Sequence, residues 1–273
     1  MEAKAQVRAI ASARVGCKAF APMDDFRPFL LELAATARAL TAGAGVPVAD
    51  NKLATGFDPV TELDRAVERS LRTAIERRFP DDGIEGEEYG LVRPAARRRW
   101  LLDPVDGTRA LICGLPSWTT LVALAVDFEP VAGLIDVPVL DELFVGSPGE
   151  AVCNGRRIAT SGCTKIAEAR LSTTDPYLFS PAERTAFDRL RDEVRVVRFG
   201  LDALAYARLA QGHLDLVAET GLKPHDWNAL VPVVRGAGGV VGNWQGGDDL
   251  SRGEILAAAT PPLFAAAVAL LKE

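Results

Sequence analysis

The first third of the chain has apolar residues at helical spacing. Over residues 24–40 this spacing predicts an amphipathic helix whose cap is Asp24 or Asp25. Asp64 closes a capping-box pattern, and the apolar stripe behind it predicts a second helix over residues 62–79. Two amphipathic helices therefore precede the first predicted strand.

Strand patterns follow, at first in succession and then in alternation with helices. The predicted strands cover residues 84–88, 100–102, 119–126, 131–137, 150–153, 156–159, 169–173, 194–199, 214–218, 240–243 and 255–258. The later predicted helices cover residues 181–192, 202–210, 226–236 and 262–272. The fold class expected from this order is an α+β half followed by an α/β half.

No low-complexity linker separates the two halves, so we expect them to pack closely as one functional unit. The expected divisions are an α+β half at residues 24–160 and an α/β half at residues 161–273. Residues 1–23 carry scattered basic residues among Ala and Val without the Ser enrichment of a transit peptide. They are predicted to be a disordered or weakly helical extension.

Composition narrows the classes of partner. The chain has 273 residues, of which 48% are hydrophobic and 25% charged, and a net charge of −6. An acidic protein lacks the basic face that a nucleic-acid groove needs. No apolar run approaches the roughly 20 residues of a membrane helix. Four cysteines without a CxxC pair favour a reducing compartment, so a cytoplasmic location is expected.

The strongest chemical signal is D-P-V-D-G-T at residues 103–108. Asp103 and Asp106 follow a buried strand, and two carboxylates there repel each other unless a cation lies between them. Mg²⁺ suits such oxygen ligands and often shares them with a substrate phosphate. A simple turn, in which both acids cap neighbouring amides, is the alternative.

Gly107 and Thr108 are expected at a helix start, where backbone N–H groups can bind an anion beside the metal. The D-x-x-D-G-T spacing differs from the D-x-D-x-T of phosphatases that form an aspartyl phosphate. A metal-activated water is therefore the expected nucleophile.

Three further acids are candidate ligands, and each also has an ordinary explanation. Glu87 lies in an acidic loop that could simply be solvated, Asp64 is explained by its capping box, and Asp226 could be the N-cap of the helix at residues 226–236. Only two histidines are present, which excludes multi-histidine zinc and iron phosphatases. An all-oxygen site points to Mg²⁺.

Four motifs in order resemble the inositol monophosphatase superfamily. They are D-P-V-T-E-L-D at residues 58–64, G-E-E at 86–88, D-P-V-D-G-T at 103–108, and Asp226 before G-A-G-G at 236–239. The resemblance implies a layered αβαβα sandwich, usually a homodimer, with two or three Mg²⁺ ions per site.

The same resemblance implies roles for individual residues. The metal ligands that it implies are Glu87, Asp103, the carbonyl of Val105, Asp106 and Asp226. Asp64 paired with Thr108 would help to activate the attacking water, and the amides of Gly107 and Thr108 would bind the phosphate. A loop lysine of the family lies near the position of Lys52, although the local spacing differs.

Within the superfamily, three segments look like the histidinol-phosphate phosphatase branch: residues 106–116, 212–219 and 221–226. This implies hydrolysis of L-histidinol phosphate to L-histidinol and phosphate, a step of histidine biosynthesis. Asp202 and Glu219 suit the ammonium and imidazole groups of that substrate. Arg109 could reach the phosphate or bind a carboxylate of the site.

One segment departs from that branch. Its members commonly read G-G-D-C-Y-x-Y, whereas residues 200–206 here read G-L-D-A-L-A-Y. A sugar-type substrate, such as inositol 1-phosphate or fructose 1,6-bisphosphate, is the alternative, because Glu219 could also accept ring hydroxyls. A non-catalytic scaffold is a remote alternative. The presence of every expected carboxylate argues against it.

Overall fold

The computed structural model describes residues 26–43, 45–52 and 59–272. Residues 1–23, the predicted caps Asp24 and Asp25, and Asp58 of the first motif lie outside these ranges. Within the described residues, the helices are α1 (Arg27–Thr41), α2 (Glu62–Arg78), α3 (Thr108–Ile112), α4 (Pro181–Glu193), α5 (Ala203–Ala210), α6 (Pro224–Trp227), α7 (Leu230–Gly236) and α8 (Pro261–Lys272). None of these helices has the length and apolar composition required to cross a bilayer.

An eight-stranded mixed sheet forms between residues 83 and 157. Its strands are β3 (Gly83–Gly86), β4 (Gly90–Val92), β5 (Arg98–Asp106), β6 (Thr119–Val126), β7 (Glu129–Val137), β8 (Glu142–Ser147), β9 (Glu150–Cys153) and β10 (Arg156–Arg157). Their order is β10-β9-β8-β7-β6-β5-β3-β4, and only β3 and β5 pair in parallel. A short antiparallel pair, β1 (Asp50–Asn51) and β2 (Pro59–Val60), lies before it in the chain.

A five-stranded mixed sheet forms in the second half. Its strands are β11 (Arg170–Thr173), β12 (Val196–Phe199), β13 (Leu216–Glu219), β14 (Val240–Gly242) and β15 (Ile255–Ala258). Their order is β12-β11-β13-β15-β14. β11 pairs in parallel with β12 and β13, whereas β15 pairs antiparallel with β13 and β14. Single 3₁₀ turns at Pro138–Leu140, Ile166–Glu168 and Pro176–Leu178 complete the described elements.

Alternating side chains place each sheet between two layers of helices. Trp100 and Leu102 of β5 pack in the cluster that holds α1 and α2, whereas Leu101 between them packs in the cluster that holds α5 and α7. In the smaller sheet Val217 faces α5 and α7, and its neighbours face α4 and α8. The resulting layers are α1/α2, large sheet, α5/α7, small sheet and α4/α8, which confirms the predicted αβαβα sandwich.

Helix α7 packs directly on the backbone of the large sheet. A Cβ at Gly133 of β7 would clash with the backbone of Ala229, and a Cβ at Gly146 of β8 would clash with the backbone of Val233. Glycine at these two positions permits the close approach. The central layer therefore depends on the absence of two side chains.

Helix α1 has Phe26 at its N-cap position, with no side-chain cap. A local prediction in the second half was wrong. The helix predicted over residues 226–236 is two helices, α6 and α7, because Pro232 has no N–H to bond the carbonyl of Asn228. Strands β1, β2, β4 and β8 were not predicted, and most other elements differ from the prediction by a few residues at their ends.

We expect Gly146→Ala to lower the free energy of unfolding by about 1–3 kcal/mol, because the new methyl group would displace α7 from the sheet. Gly162→Ala is the matched control, since no described atom lies within 4 Å of a Cβ built there. Urea denaturation of both variants measures the difference. Equal stability of the two variants would contradict the close contact between α7 and β8.

Candidate active site

Asp103 and Asp106 lie at the end of the central strand β5, where the register with β6 shifts between them. Asp103 is buried, and its Oδ1 accepts the amide of Val105 at 3.1 Å. The Oδ2 of Asp106 accepts the amide of Ala203 at 2.8 Å and the hydroxyl of Thr119 at 3.2 Å. Amides and a hydroxyl thus orient both carboxylates but bring no positive charge to them.

Asp64 and Asp226 occupy equivalent positions in two different helices. Asp64 is the third residue of α2, and its Oδ2 accepts the amide of Thr61 at 2.9 Å and the hydroxyl of Thr61 at 2.5 Å. Asp226 is the third residue of α6, and its Oδ2 accepts the amide of Lys223 at 2.7 Å. The predicted N-cap role of Asp226 is therefore wrong, because Lys223 holds the cap position.

Glu87 approaches the cluster from the turn after β3. Its amide donates to the carbonyl of Leu102 in β5 at 3.1 Å. The ammonium group of Lys52 donates to Oε1 of Glu87 at 2.9 Å and to Oε1 of Glu88 at 2.5 Å. Burial lowers the pKa of Lys52, but these two carboxylates outweigh it and the pKa lies above the ordinary value. This pair of acids therefore already binds one cation.

The five acids influence one another electrostatically. Burial raises the pKa of Asp103 well above its usual range, and repulsion by Glu87, Asp106, Asp226 and Asp64 raises it further. Burial likewise raises the pKa values of Asp106, Asp226 and Asp64. The structure thus brings together all five carboxylates that the sequence singled out, in an environment that a cation would stabilise.

The donor set fits a hard cation. The ligating atoms on offer are carboxylate oxygens and the carbonyl of Val105, which suits Mg²⁺. The Nε2 atom of His225 lies 3.3 Å from Oδ1 of Asp226. Within the described ranges, no three Asp, Glu, His or Cys side chains are arranged as a finished coordination shell. Metal binding would therefore require side chains to turn, for example Glu87 away from Lys52.

Helix α3 begins beside these acids. Gly107 precedes it with φ of +79°, a conformation that favours glycine. The hydroxyl of Thr108 lies 3.0 Å from the carbonyl oxygen of Val105 and 3.4 Å from Oδ1 of Asp64. The first N–H groups of a helix have no acceptor within the helix, so this turn presents donors next to the carboxylates.

A cavity of about 200 Å³ adjoins the cluster. Its walls include Asp106 and Asp226, together with Asp202, Tyr206 and Glu219. Burial raises the pKa of Asp202 to about 6, although the nearby positive charge of Arg109 lowers it. A Cβ at Gly107 would lie 3.0 Å from Oδ2 of Asp202, so this carboxylate sits against the start of α3.

Glu219 lies deeper in the same cavity, at the end of β13. Its oxygens accept the hydroxyl of Thr173 at 3.1 Å and, from Thr174, the amide at 2.7 Å and the hydroxyl at 2.9 Å. Burial nevertheless raises the pKa of Glu219 to about 7. The phenol oxygen of Tyr206 has no hydrogen-bond partner in the described part of the chain. Sequence analysis missed the two threonines, because nothing local marks them as partners of Glu219.

A second cavity, of about 470 Å³, lies elsewhere between α1 and the segment around α3. Its walls are mainly apolar and include Val46, Leu115 and Trp118. It contains none of the clustered carboxylates, so the smaller cavity is the candidate substrate site.

A comparison with models of known protein families shows to which family the chain is related. The model of the inositol monophosphatase family matches residues 24–273. The chain belongs to this family. The family resemblance inferred from the four motifs is thereby confirmed, and membership supports the hydrolysis of phosphate monoesters.

Individual relatives agree on the family but carry different names. The chain is 44% identical over 193 residues to a chloroplastic bifunctional phosphatase, IMPL2, of Arabidopsis thaliana, a match that covers 70% of this chain and 56% of that protein. It is 34% identical over 203 residues to a histidinol-phosphatase of Chlorobaculum parvum, covering 74% and 78% of the two chains. A solved inositol monophosphatase from Zymomonas mobilis superimposes with a TM-score of 0.84 at 38% identity, covering 93% and 100%.

We expect Glu219 to make the stability of the wild-type protein fall as the pH rises. Its pKa is about 7 in the folded protein and 4.5 ordinarily, so its contribution is fully present below 4.5 and is lost as the pH passes 7. The wild type should lose up to about 3 kcal/mol over this window relative to Glu219→Gln. Urea denaturation of chelated protein across the window measures the loss.

The exposed acid Glu129 supplies the control, since Glu129→Gln should retain the pH dependence of the wild type. Parallel pH profiles for the wild type and Glu219→Gln would contradict the raised pKa.

Proposed function

We propose that the protein hydrolyses L-histidinol phosphate to L-histidinol and phosphate, using Mg²⁺ and a metal-activated water. The observation that carries this proposal is the acidic cavity beside the carboxylate cluster. Asp202 and Glu219 bring two carboxyl groups, both anionic above about pH 7, to the part of the cavity where the organic group of a phosphate ester would bind. A substrate with cationic ammonium and imidazole groups matches that charge, whereas a neutral sugar does not.

Glu87, Asp103, the carbonyl of Val105, Asp106 and Asp226 are the proposed Mg²⁺ ligands. Members of the family generally depend on Mg²⁺, and two or three ions per site are expected. When bound, Mg²⁺ would neutralise phosphate oxygens and lower the pKa of a coordinated water. Amides already orient the carboxylates of Asp103, Asp106 and Asp226, so these three lose little conformational freedom on binding. Glu87 would first have to turn away from Lys52.

Thr108 and Asp64 are the proposed water-activating pair. A threonine hydroxyl has one proton and can accept another hydrogen bond while donating its own. Thr108 can therefore accept a proton from the attacking water and donate to Asp64, whose Oδ1 lies 3.4 Å away. The opposite oxygen of Asp64 is fixed by Thr61, which keeps Oδ1 directed toward Thr108.

Gly107, Thr108 and Arg109 are the proposed phosphate contacts. The amides of Gly107 and Thr108 lie at the start of α3, where helix geometry favours an anion. Arg109 is exposed at the same turn and electrostatically coupled to Asp202. Arg109 would thus connect the phosphate end of the substrate with the carboxylate that receives its cationic end.

Both halves of the chain contribute to this site, as a single functional unit requires. Residues 24–160 supply most of the proposed metal ligands, and residues 161–273 supply the cavity acids. Asp226 comes from the second half yet lies within range of Asp103. We propose on the family resemblance that the protein is a homodimer, and on its four cysteines without a CxxC pair that it is cytoplasmic.

Hydrolysis of inositol 1-phosphate is the second candidate. An inositol-1-monophosphatase of Mesorhizobium japonicum is 32% identical over 207 residues, and the solved Zymomonas mobilis structure is that of an inositol monophosphatase. Leu201, Ala203 and Leu204 also depart from the branch pattern beside Asp202. Glu219 would then accept ring hydroxyls instead of cationic groups.

The metal site predicts opposite effects of one substitution with and without Mg²⁺. In chelated protein near pH 8, Asp103→Asn should raise the free energy of unfolding by about 1 kcal/mol or more, because it removes a charge that burial and neighbouring acids disfavour. The same variant should lose the rise in Tm that Mg²⁺ gives the wild type. Thermal unfolding with chelator and with Mg²⁺ measures both effects.

Asp82→Asn is the control for this experiment. Asp82 is buried at the other end of β5, where it accepts Trp100 Nε1 at 2.9 Å and Arg98 Nε at 2.8 Å. Its loss should lower stability in both buffers and leave the response to Mg²⁺ intact. An unchanged Mg²⁺ response in Asp103→Asn would contradict the metal assignment.

Substrate preference is tested by kcat/KM for histidinol phosphate and inositol 1-phosphate on one preparation. We expect a preference for histidinol phosphate of at least about tenfold, equal to about 1.4 kcal/mol. Asp202→Asn should reduce that preference mainly through KM, since Asn has the size and shape of Asp but carries no charge. Preference of the wild type for the inositol ester would overturn the substrate and leave the metal chemistry standing.

A further inference from the structure

Glu68 is a fully buried carboxylate outside the set of proposed ligands. It lies on α2, one helical turn after Asp64, with none of its surface exposed to solvent. Its Oε2 accepts the amide of Glu88 at 2.7 Å, and its Oε1 accepts the amide of Tyr89 at 3.2 Å. These are the two residues that follow Glu87 in the chain.

Together these bonds fix the backbone around Glu87. The amide of Glu87 itself donates to Leu102 of β5, and the next two amides donate to Glu68. Three consecutive N–H groups are thus bound, one by the strand that carries Asp103 and two by the helix that carries Asp64. The direction in which the Glu87 side chain leaves the turn follows from this arrangement.

Arg72 supports Glu68 from the next turn of α2. Its Nε donates to Oε1 of Glu68 at 2.7 Å, and its Nη2 donates to the carbonyl of Gly90. Its guanidinium also lies 6.0 Å from the ring of Tyr89. Arg72 therefore balances the buried charge and holds the far end of the same turn.

Gly86 gives the carboxylate room to reach the turn. A Cβ at this position would overlap the carboxylate of Glu68. An apolar side chain in place of Glu68 could fill the space at lower desolvation cost, but it could not bind the two amides. Packing alone does not explain a buried acid here, whereas orientation of the turn does.

We propose that Glu68 is a positioning residue that presets Glu87 for cation binding. The inference rests on the proposed function, since it takes Glu87 to be a metal ligand. Helix α2 then sets two parts of the site at once, because Asp64 and Glu68 are four residues apart on its buried face. Glu68 itself does not touch metal or substrate.

The test is the affinity of full-length Glu68→Gln for Mn²⁺, measured by the paramagnetic resonance of free Mn²⁺, and for Mg²⁺, measured by calorimetry. Gln keeps the size of Glu but replaces one acceptor oxygen with a donor, so one amide of the turn loses its partner. We expect binding about tenfold weaker or more, as is usual when a group supporting a ligand is changed. The Mg²⁺ concentration for half-maximal activity should rise, while kcat at saturating Mg²⁺ stays within about twofold of wild type.

Asp215→Asn separates this effect from general destabilisation. Asp215 is also buried and ion-paired, accepting Arg170 Nε at 2.7 Å, but it lies immediately before β13 of the small sheet. It should lower Tm and leave metal affinity unchanged. Weakened metal binding in this control, or wild-type affinity in Glu68→Gln, would overturn the inference.

Arg72→Lys provides a second route should Glu68→Gln fold poorly. This variant retains the positive charge beside Glu68 but removes the hydrogen bond to the carbonyl of Gly90. We therefore expect a smaller loss of metal affinity than in Glu68→Gln. Unchanged affinity there would overturn the inference. Absence of any metal binding by the wild type would overturn the proposed function as well, whereas normal wild-type binding that only Glu87→Gln weakens would overturn the role of Glu68 alone.

Discussion

Mutual repulsion among Asp64, Glu87, Asp103, Asp106 and Asp226 is the constraint on which the described site depends. Strand β5 carries Asp103 and Asp106, whereas α2, the turn after β3 and α6 bring the other three acids to its end, and burial makes their charges costly. Backbone amides orient Asp64, Asp103, Asp106 and Asp226 without neutralising them, and the ammonium group of Lys52 bonds to Glu87. The repulsion therefore lowers the stability of the folded protein without a cation and favours the binding of one.

The central helical layer connects this cluster to the substrate cavity. Helix α5 begins with the amide of Ala203, which binds Asp106, and it is preceded by Asp202 in a left-handed backbone conformation. Helix α7 lies so close to the large sheet that Gly133 and Gly146 cannot carry side chains. Because these helices also pack on the small sheet, a shift between the sheets would change the position of the proposed metal ligands on β5 relative to Glu219 on β13.

The sequence predicted the fold class, most of the helices and strands, and the acids of the cluster. Periodicity predicted the elements, whereas the layered sandwich was implied by the family resemblance. In the structure, adjacent residues such as Leu101 and Leu102 of β5 pack against different helical layers. Periodicity failed where one residue interrupts a pattern, as Pro232 in α7 does by leaving the carbonyl of Asn228 without an N–H donor. The partners of Glu219 and the contact of Ala203 with Asp106 were not predictable, since they join residues far apart in the chain.

Asp64 and Asp226 show why local explanations could not settle the function of individual acids. For Asp64, helix capping and metal chemistry were treated as competing explanations, yet a carboxylate has two oxygens and can serve both. One oxygen of each residue accepts the amide at its own helix start, at 2.9 Å for Asp64 and 2.7 Å for Asp226. That bond restricts the side chain and directs the other oxygen toward the cluster. Capping is thus a means of orienting the functional group, and a satisfied cap is no evidence against a role in catalysis.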